Sequence, residues 1–136
     1  MDPDRIASTP NRHERDGEKV VAPDPNRRTL THIFAPWNGG SDRIWTGLSE
    51  IEEGSTSNLH SHPNEEILYV LEGAGEIEVD GVRYPVEPGS SVRVAPDRPH
   101  RLFNGGEGLL RVLCTASPAF ERSVFDAAHD LDDPAR

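Results

Sequence analysis

From residue 29 to residue 116 the chain reads as short apolar runs, interrupted every few positions by Gly, Pro, Asp or Glu. Side chains on a strand alternate between two faces, so a period of two marks a strand and a period near 3.6 a helix. Residues 29–35 carry Leu30, Thr31, Ile33 and Phe34 and stop at Pro36-Trp37-Asn38-Gly39-Gly40. Residues 43–51 alternate, with Ile44, Thr46 and Leu48 on one face and Arg43, Trp45 and Gly47 on the other. Residues 66–71 form a mainly apolar run closed by Glu72-Gly73-Ala74-Gly75. Residues 76–79 meet residues 82–86 across Asp80-Gly81. Both turn positions tolerate the positive φ of a type I′ hairpin. Pro88-Gly89 marks another turn, and residues 92–95, 100–103 and 109–115 supply the remaining strands. There is no internal repeat, no glycine-rich phosphate loop and no sustained helical period. Many short strands with frequent turns predict an all-β sandwich or barrel.

The flanks differ in character. Residues 1–28 hold Pro3, Pro10, Pro23 and Pro25, many charges and one apolar pair, Val20-Val21. So little apolar surface does not offset the entropy of ordering a segment. Residues 1–28 therefore read as an N-terminal tail, flexible or docking on the domain or on a partner subunit. Residues 29–118 read as the domain. Residues 119–136 read as a C-terminal extension in which Phe120, Val124 and Phe125 form a turn or short helix on the barrel, and Asp126 onward frays. The hydrophobic share of 34% is low, and the shortfall lies in these ends. At 136 residues the chain has the size of one domain. A barrel this small often pairs with a second copy, so a homodimer is expected.

The net charge of −10, from 24 acidic and 14 basic residues, argues against nucleic acid and against an anionic membrane surface. The single cysteine, Cys114, excludes an internal disulfide and reads as a core residue. The first residues lack the apolar stretch of a secretory signal, and no segment is long enough to span a bilayer. The expected location is the cytoplasm.

Within this frame one group of side chains carries chemistry. His60, His62 and Glu66 share strand parity and can converge on one face, and His100 can reach them from a neighbouring strand. Imidazoles with a carboxylate suit one divalent transition metal, iron, manganese, nickel, zinc or copper, better than calcium or magnesium. Glu65 has the wrong parity and is expected to meet solvent or a partner. Leu68, Val70 and Leu102 fall on the ligand side and are expected to line an apolar pocket for a small-molecule ligand or substrate. Ile44, Thr46, Leu48 or Trp45 could line its mouth. His32 reads as structural or exposed, and His13 and His129 are given no role. Asn104 is expected to tie a turn, Arg93, Arg101 and Arg111 to lie on the surface, and Tyr69 and Tyr84 to pack.

These residues resemble the two motifs of the cupin superfamily. Gly54, His60-Ser61-His62, Glu66 and Gly73 fit the first motif throughout. Gly89, His100 and Asn104 fit the second, with Pro96 one position late and Asp97 where a glycine belongs. Aspartate is among the few residues besides glycine that enter the left-handed region, so the turn can survive. The resemblance implies a single-domain jelly-roll β-barrel, or double-stranded β-helix, with a polar N-terminal tail and a short C-terminal extension. It implies a metal-dependent enzyme acting on a small oxygenated metabolite, dioxygenase-like by preference, in which Glu66 could detach from the metal and act as a catalytic base. The alternatives are a polyketide-cyclase-like or sugar-isomerase-like biosynthetic cupin, which the Ser117-Pro118-Ala119-Phe120 segment resembles, and a non-catalytic binding module.

Overall fold

Nine strands alternate with short turns in the structure, a computed structural model in which residues 10–22 and 26–125 are described. They are β1 (Glu18–Ala22), β2 (Arg28–Phe34), β3 (Trp45–Ile51), β4 (Glu65–Glu72), β5 (Gly75–Val79), β6 (Val82–Val86), β7 (Ser91–Val94), β8 (His100–Phe103) and β9 (Leu110–Ser117). One sheet has the order β1-β2-β3-β9-β4-β7 and the other β6-β5-β8. Bridges Thr56↔Phe103 and His60↔His100 lay the segment after β3 along the open edge of β8. This is the all-β barrel expected from the strand rhythm, in the jelly-roll form that the cupin resemblance implies.

The core lies between the sheets and follows from strand parity. On β4, Glu66, Leu68 and Val70 are buried while Ile67, Tyr69 and Leu71 are exposed. Residues paired across strands share a face. The pairings Leu68↔Cys114↔Gly47 and Val70↔Val112↔Ser49 therefore extend the inner face across three strands. Ile77 and Leu102 meet it from the smaller sheet. Parity settles the register of β3: Trp45 points inward, and Thr46 and Leu48 share the outer face with Thr115 and Leu113. Tyr69 and Tyr84, expected to pack, are instead exposed, because Tyr69 has outward parity and Tyr84 stands on the edge strand β6.

Two turns carry the predicted strain. Asp80 and Gly81 both have positive φ, 53° and 81°. Asp97 stands at φ 65°, doing the work of the glycine it replaces. Asn104 is buried and ties its turn as expected, donating from Nδ2 to the carbonyls of Ile51 (2.9 Å) and Gly108 (2.8 Å).

No strand is expected before residue 29, yet Glu18–Ala22 forms β1, paired antiparallel with β2. Val20 and Val21 remain exposed in it. An edge strand of this kind is held by backbone hydrogen bonds and buries little, so hydrophobic periodicity does not announce it. The residues just before β1 are also tied down. Arg111 Nη2 donates to both carboxylate oxygens of Glu14, at 2.7 and 2.8 Å. Arg12 donates to Ile33 O (2.8 Å) and Asn38 Oδ1 (2.9 Å). After β9, Phe120 is buried and residues Arg122–Phe125 make a short 3-10 turn. The fraying expected from Asp126 and the lack of a role for His129 fall outside the described residues.

Candidate metal centre

Backbone pairing brings the histidines together. His60 N–H donates to His100 O (3.1 Å), and His100 N–H returns a bond to His60 O (2.9 Å). Asp97 N–H donates to His62 O at 2.8 Å, so the left-handed turn before β8 also clamps the His-x-His segment. Two stretches far apart in sequence are thereby fixed side by side before any side chain contributes.

Each imidazole is then oriented by a carbonyl close to it in the chain. His60 Nδ1 lies 2.8 Å from Asn58 O, His62 Nδ1 3.0 Å from Asn64 O, and His100 Nδ1 2.8 Å from Arg98 O. A carbonyl only accepts, so each Nδ1 carries the hydrogen and donates it. In the neutral ring that leaves Nε2 as a lone pair. One ring nitrogen from each of His60, His62 and His100 lies within 4.8 Å of the others. Nε2 of His62 and of His100 are buried without a hydrogen-bond partner. A buried polar atom left unpaired costs roughly 1–3 kcal/mol. Two such lone pairs facing one point fit a shared metal ion, and hydrogen-bonded second nitrogens are the usual support for metal-binding imidazoles.

The electrostatics agree. Burial holds His60 well below the ordinary imidazole range, helped by the His100 ring and the positive charge of Arg28. Burial also lowers His100, against the opposing pull of the Glu66 carboxylate. Both rings are therefore neutral, the form that binds metal. Burial, then the charge of Glu66, pushes the Cys114 thiol upward, so it stays protonated in the core.

Glu66 stands beside this trio. It is buried, with Oε2 3.3 Å from His62 Nε2 and without hydrogen-bond geometry to it, and it lies outside the span that the three ring nitrogens share. Glu65 takes the outer face and accepts from Arg93 Nε at 2.8 Å. Leu68, Val70 and Leu102 are buried on the inner side of their strands. Arg101 and Arg111 pair with Glu78 and Glu50.

An aromatic row not anticipated from the sequence backs His62. The Phe120 ring meets His62 edge-on at 4.7 Å and Trp45 at 4.9 Å. Trp45 Nε1–H donates to His32 Nδ1 at 3.0 Å, giving His32 its structural place. The indole lies back over Gly47, where an added Cβ would come within 2.3 Å of the ring. Asn64 Nδ2 donates to Pro118 O (2.7 Å) and holds the segment that carries Phe120. Phe120 is expected from the sequence to sit on the barrel with Val124 and Phe125, but its contact with His62 leaves no mark in the spacing. Arg28 falls in the segment read as a tail, although it shares the parity of Leu30 on the inner face of β2.

The cupin domain family Cupin_2 matches residues 47–116, from β3 to β9, and so includes all three histidines. The chain belongs to this family. This cupin is 37% identical over 68 residues to an uncharacterized protein of Methanocaldococcus jannaschii, covering 49% of this chain and 54% of that protein. It is 30% identical over 99 residues to the polyketide synthase CurC of Streptomyces cyaneus, covering 70% and 64%. The chain thus spans about half to two thirds of the length of these relatives. The polyketide cyclase RemF from Streptomyces resistomycificus superposes with a TM-score of 0.67 over 79% of this cupin and 78% of that chain. At 23% identity that likeness is one of fold. Among the described residues no helix is long and apolar enough to cross a membrane.

Proposed function

We propose that this cupin is a metal-dependent enzyme acting on a small oxygenated metabolite with an acidic C–H bond, of the β-dicarbonyl kind found in polyketides. The reaction is proton transfer leading to ring closure or isomerisation. The observation that carries this reading is the convergence of the His60, His62 and His100 nitrogens beside the buried carboxylate of Glu66. The polyketide synthase CurC, at 30% identity, supports the substrate class.

A divalent transition metal held by the three rings would polarise a substrate carbonyl and stabilise the charge developing on its oxygen. Glu66 is the base: Oε2 accepts the C–H proton and delivers it to another atom of the same molecule. Leu68, Val70 and Leu102 keep water from competing for that proton. The Nδ1 anchors hold the rings in place while the substrate binds. Glu66, with Oε2 3.3 Å from His62 Nε2, is also a candidate fourth ligand, and its amide variant separates the two roles.

Protein purified without chelator or affinity tag should carry about one transition-metal ion per chain by elemental analysis. In D₂O the loaded protein should exchange the central hydrogens of acetylacetone faster than buffer does. Glu66→Gln should lower that exchange by roughly 10²-fold or more while retaining metal. Unchanged exchange in the variant removes Glu66 as base, and loss of its metal makes Glu66 a ligand instead. The dioxygenase expectation rests on a donor set that suits Fe(II) equally well. Oxygen uptake by the Fe(II)-loaded protein would establish that chemistry in place of cyclisation, and saturable binding without turnover would establish a binding module.

A further inference from the structure

We infer that Phe120 is a positioning residue of the metal centre: its ring fixes the tilt of the His62 imidazole, and Asn64 latches the segment that carries it. This rests on the reading of the three rings as metal ligands and adds the element that governs how tightly the ion is held.

The need for such a support follows from the backbone. His60 and His100 exchange two backbone hydrogen bonds, so their segments are locked directly to each other. His62 lies beyond that pair, in a stretch outside the strands, and its carbonyl is tied to the turn before β8 by Asp97 N–H. Its ring hydrogen bond goes to Asn64 O at 3.0 Å. That bond selects the tautomer. A single bond at Nδ1 still lets the ring swing about its axis and carry Nε2 away from the shared point. The Phe120 ring stops this motion from one side. It meets His62 in a T-shaped contact, with centroids 4.7 Å apart and planes at 71°.

Phe120 is itself held on two sides. Trp45, Ala116 and Glu66 form one row across β3, β9 and β4. The chain leaves β9 at Ser117, opposite Glu65, and Phe120 packs against the Trp45 end of that row at 4.9 Å. Trp45 is pinned in turn by its hydrogen bond to His32. Asn64, also buried, closes the arrangement. Its Nδ2 donates to Pro118 O at 2.7 Å while its own carbonyl accepts from His62 Nδ1. One residue thus supplies both the anchor of the ring and the latch of the aromatic wall beside it. Groups that orient a metal-binding imidazole from outside the ligand set are typically worth roughly 10–100-fold in metal affinity.

Cobalt(II) is the probe, because its visible absorption reports the geometry of the ligands around it. Affinity is read by competition with a chromophoric chelator. Phe120→Leu and Asn64→Ala should each bind cobalt at least about tenfold more weakly than wild type, with altered visible bands and unchanged far-ultraviolet circular dichroism. Their effects should be less than additive in the double variant, since both release the same wall. Val86→Ala is the control for general stability. Val86 is buried and pairs with Gly75, at the far end of β5 from the Val79–His100 pair. That variant should melt at lower temperature with affinity and bands unchanged. Wild-type affinity and bands in folded Phe120→Leu overturn the inference, as does an equal loss of affinity in Val86→Ala. If Phe120→Leu does not fold, Asn64→Ala decides the same question through the latch. Wild type that takes up no cobalt removes the metal reading itself, whatever the variants do.

Discussion

One nitrogen of each imidazole at the centre is already committed to a backbone carbonyl, which leaves the other to face a common point. Deleting a ring should therefore remove grip on the ion without opening the barrel, whose buried strands do not depend on it. In His62→Ala, metal content by elemental analysis should fall to about a tenth of wild type or less, with far-ultraviolet circular dichroism retained. Wild-type stoichiometry in that variant contradicts the assignment. Glu65→Gln should keep full metal content and change stability by less than about 1 kcal/mol, since its partner Arg93 is exposed. This contrast between neighbours was legible in the sequence. The alternation of residues 65–70 needs no tertiary knowledge to sort Glu66, Leu68 and Val70 from Glu65, although the outward place of Tyr69 was missed. Arg28 and Phe120 were not legible in the same way. Each owes its place to a neighbour distant in the chain, Ile51 for one and Trp45 with His62 for the other.

At the scale of elements, the turn before β8 links backbone conformation to the metal centre. Asp97 has φ 65°, and its N–H donates to the carbonyl of His62. Asp97→Gly should match or exceed wild-type stability, because glycine enters this region without a steric penalty. Asp97→Val should lose about 1–2 kcal/mol in urea unfolding and weaken metal retention with it. A valine variant as stable as wild type would show that the turn does not need the left-handed residue. The aspartate was recognisable as a stand-in for glycine because the motif fixed its position. β1 was not recognisable, because backbone pairing at a sheet edge leaves no trace in the spacing of apolar side chains.

For the whole molecule, the buried rings tie folding to acidity. His60 and His100 are both held below the ordinary imidazole value, chiefly by burial. The unfolded chain then binds more protons than the folded one in mildly acidic solution. The contribution of these rings is fully present above about pH 6.5 and is lost as pH falls through their lowered folded values. Melting of metal-free protein should move to lower temperature as the buffer is taken from pH 7 toward pH 5, and a flat profile would contradict neutral buried rings. The carbonyl anchors carry a consequence for how such a barrel changes its task. Each is supplied from two positions away along the chain, by Asn58, Asn64 and Arg98, rather than by the chamber wall. In the proposed chamber, resizing Leu68, Val70 or Leu102 would leave these anchors untouched, so a new cargo could be accommodated through side-chain volume alone.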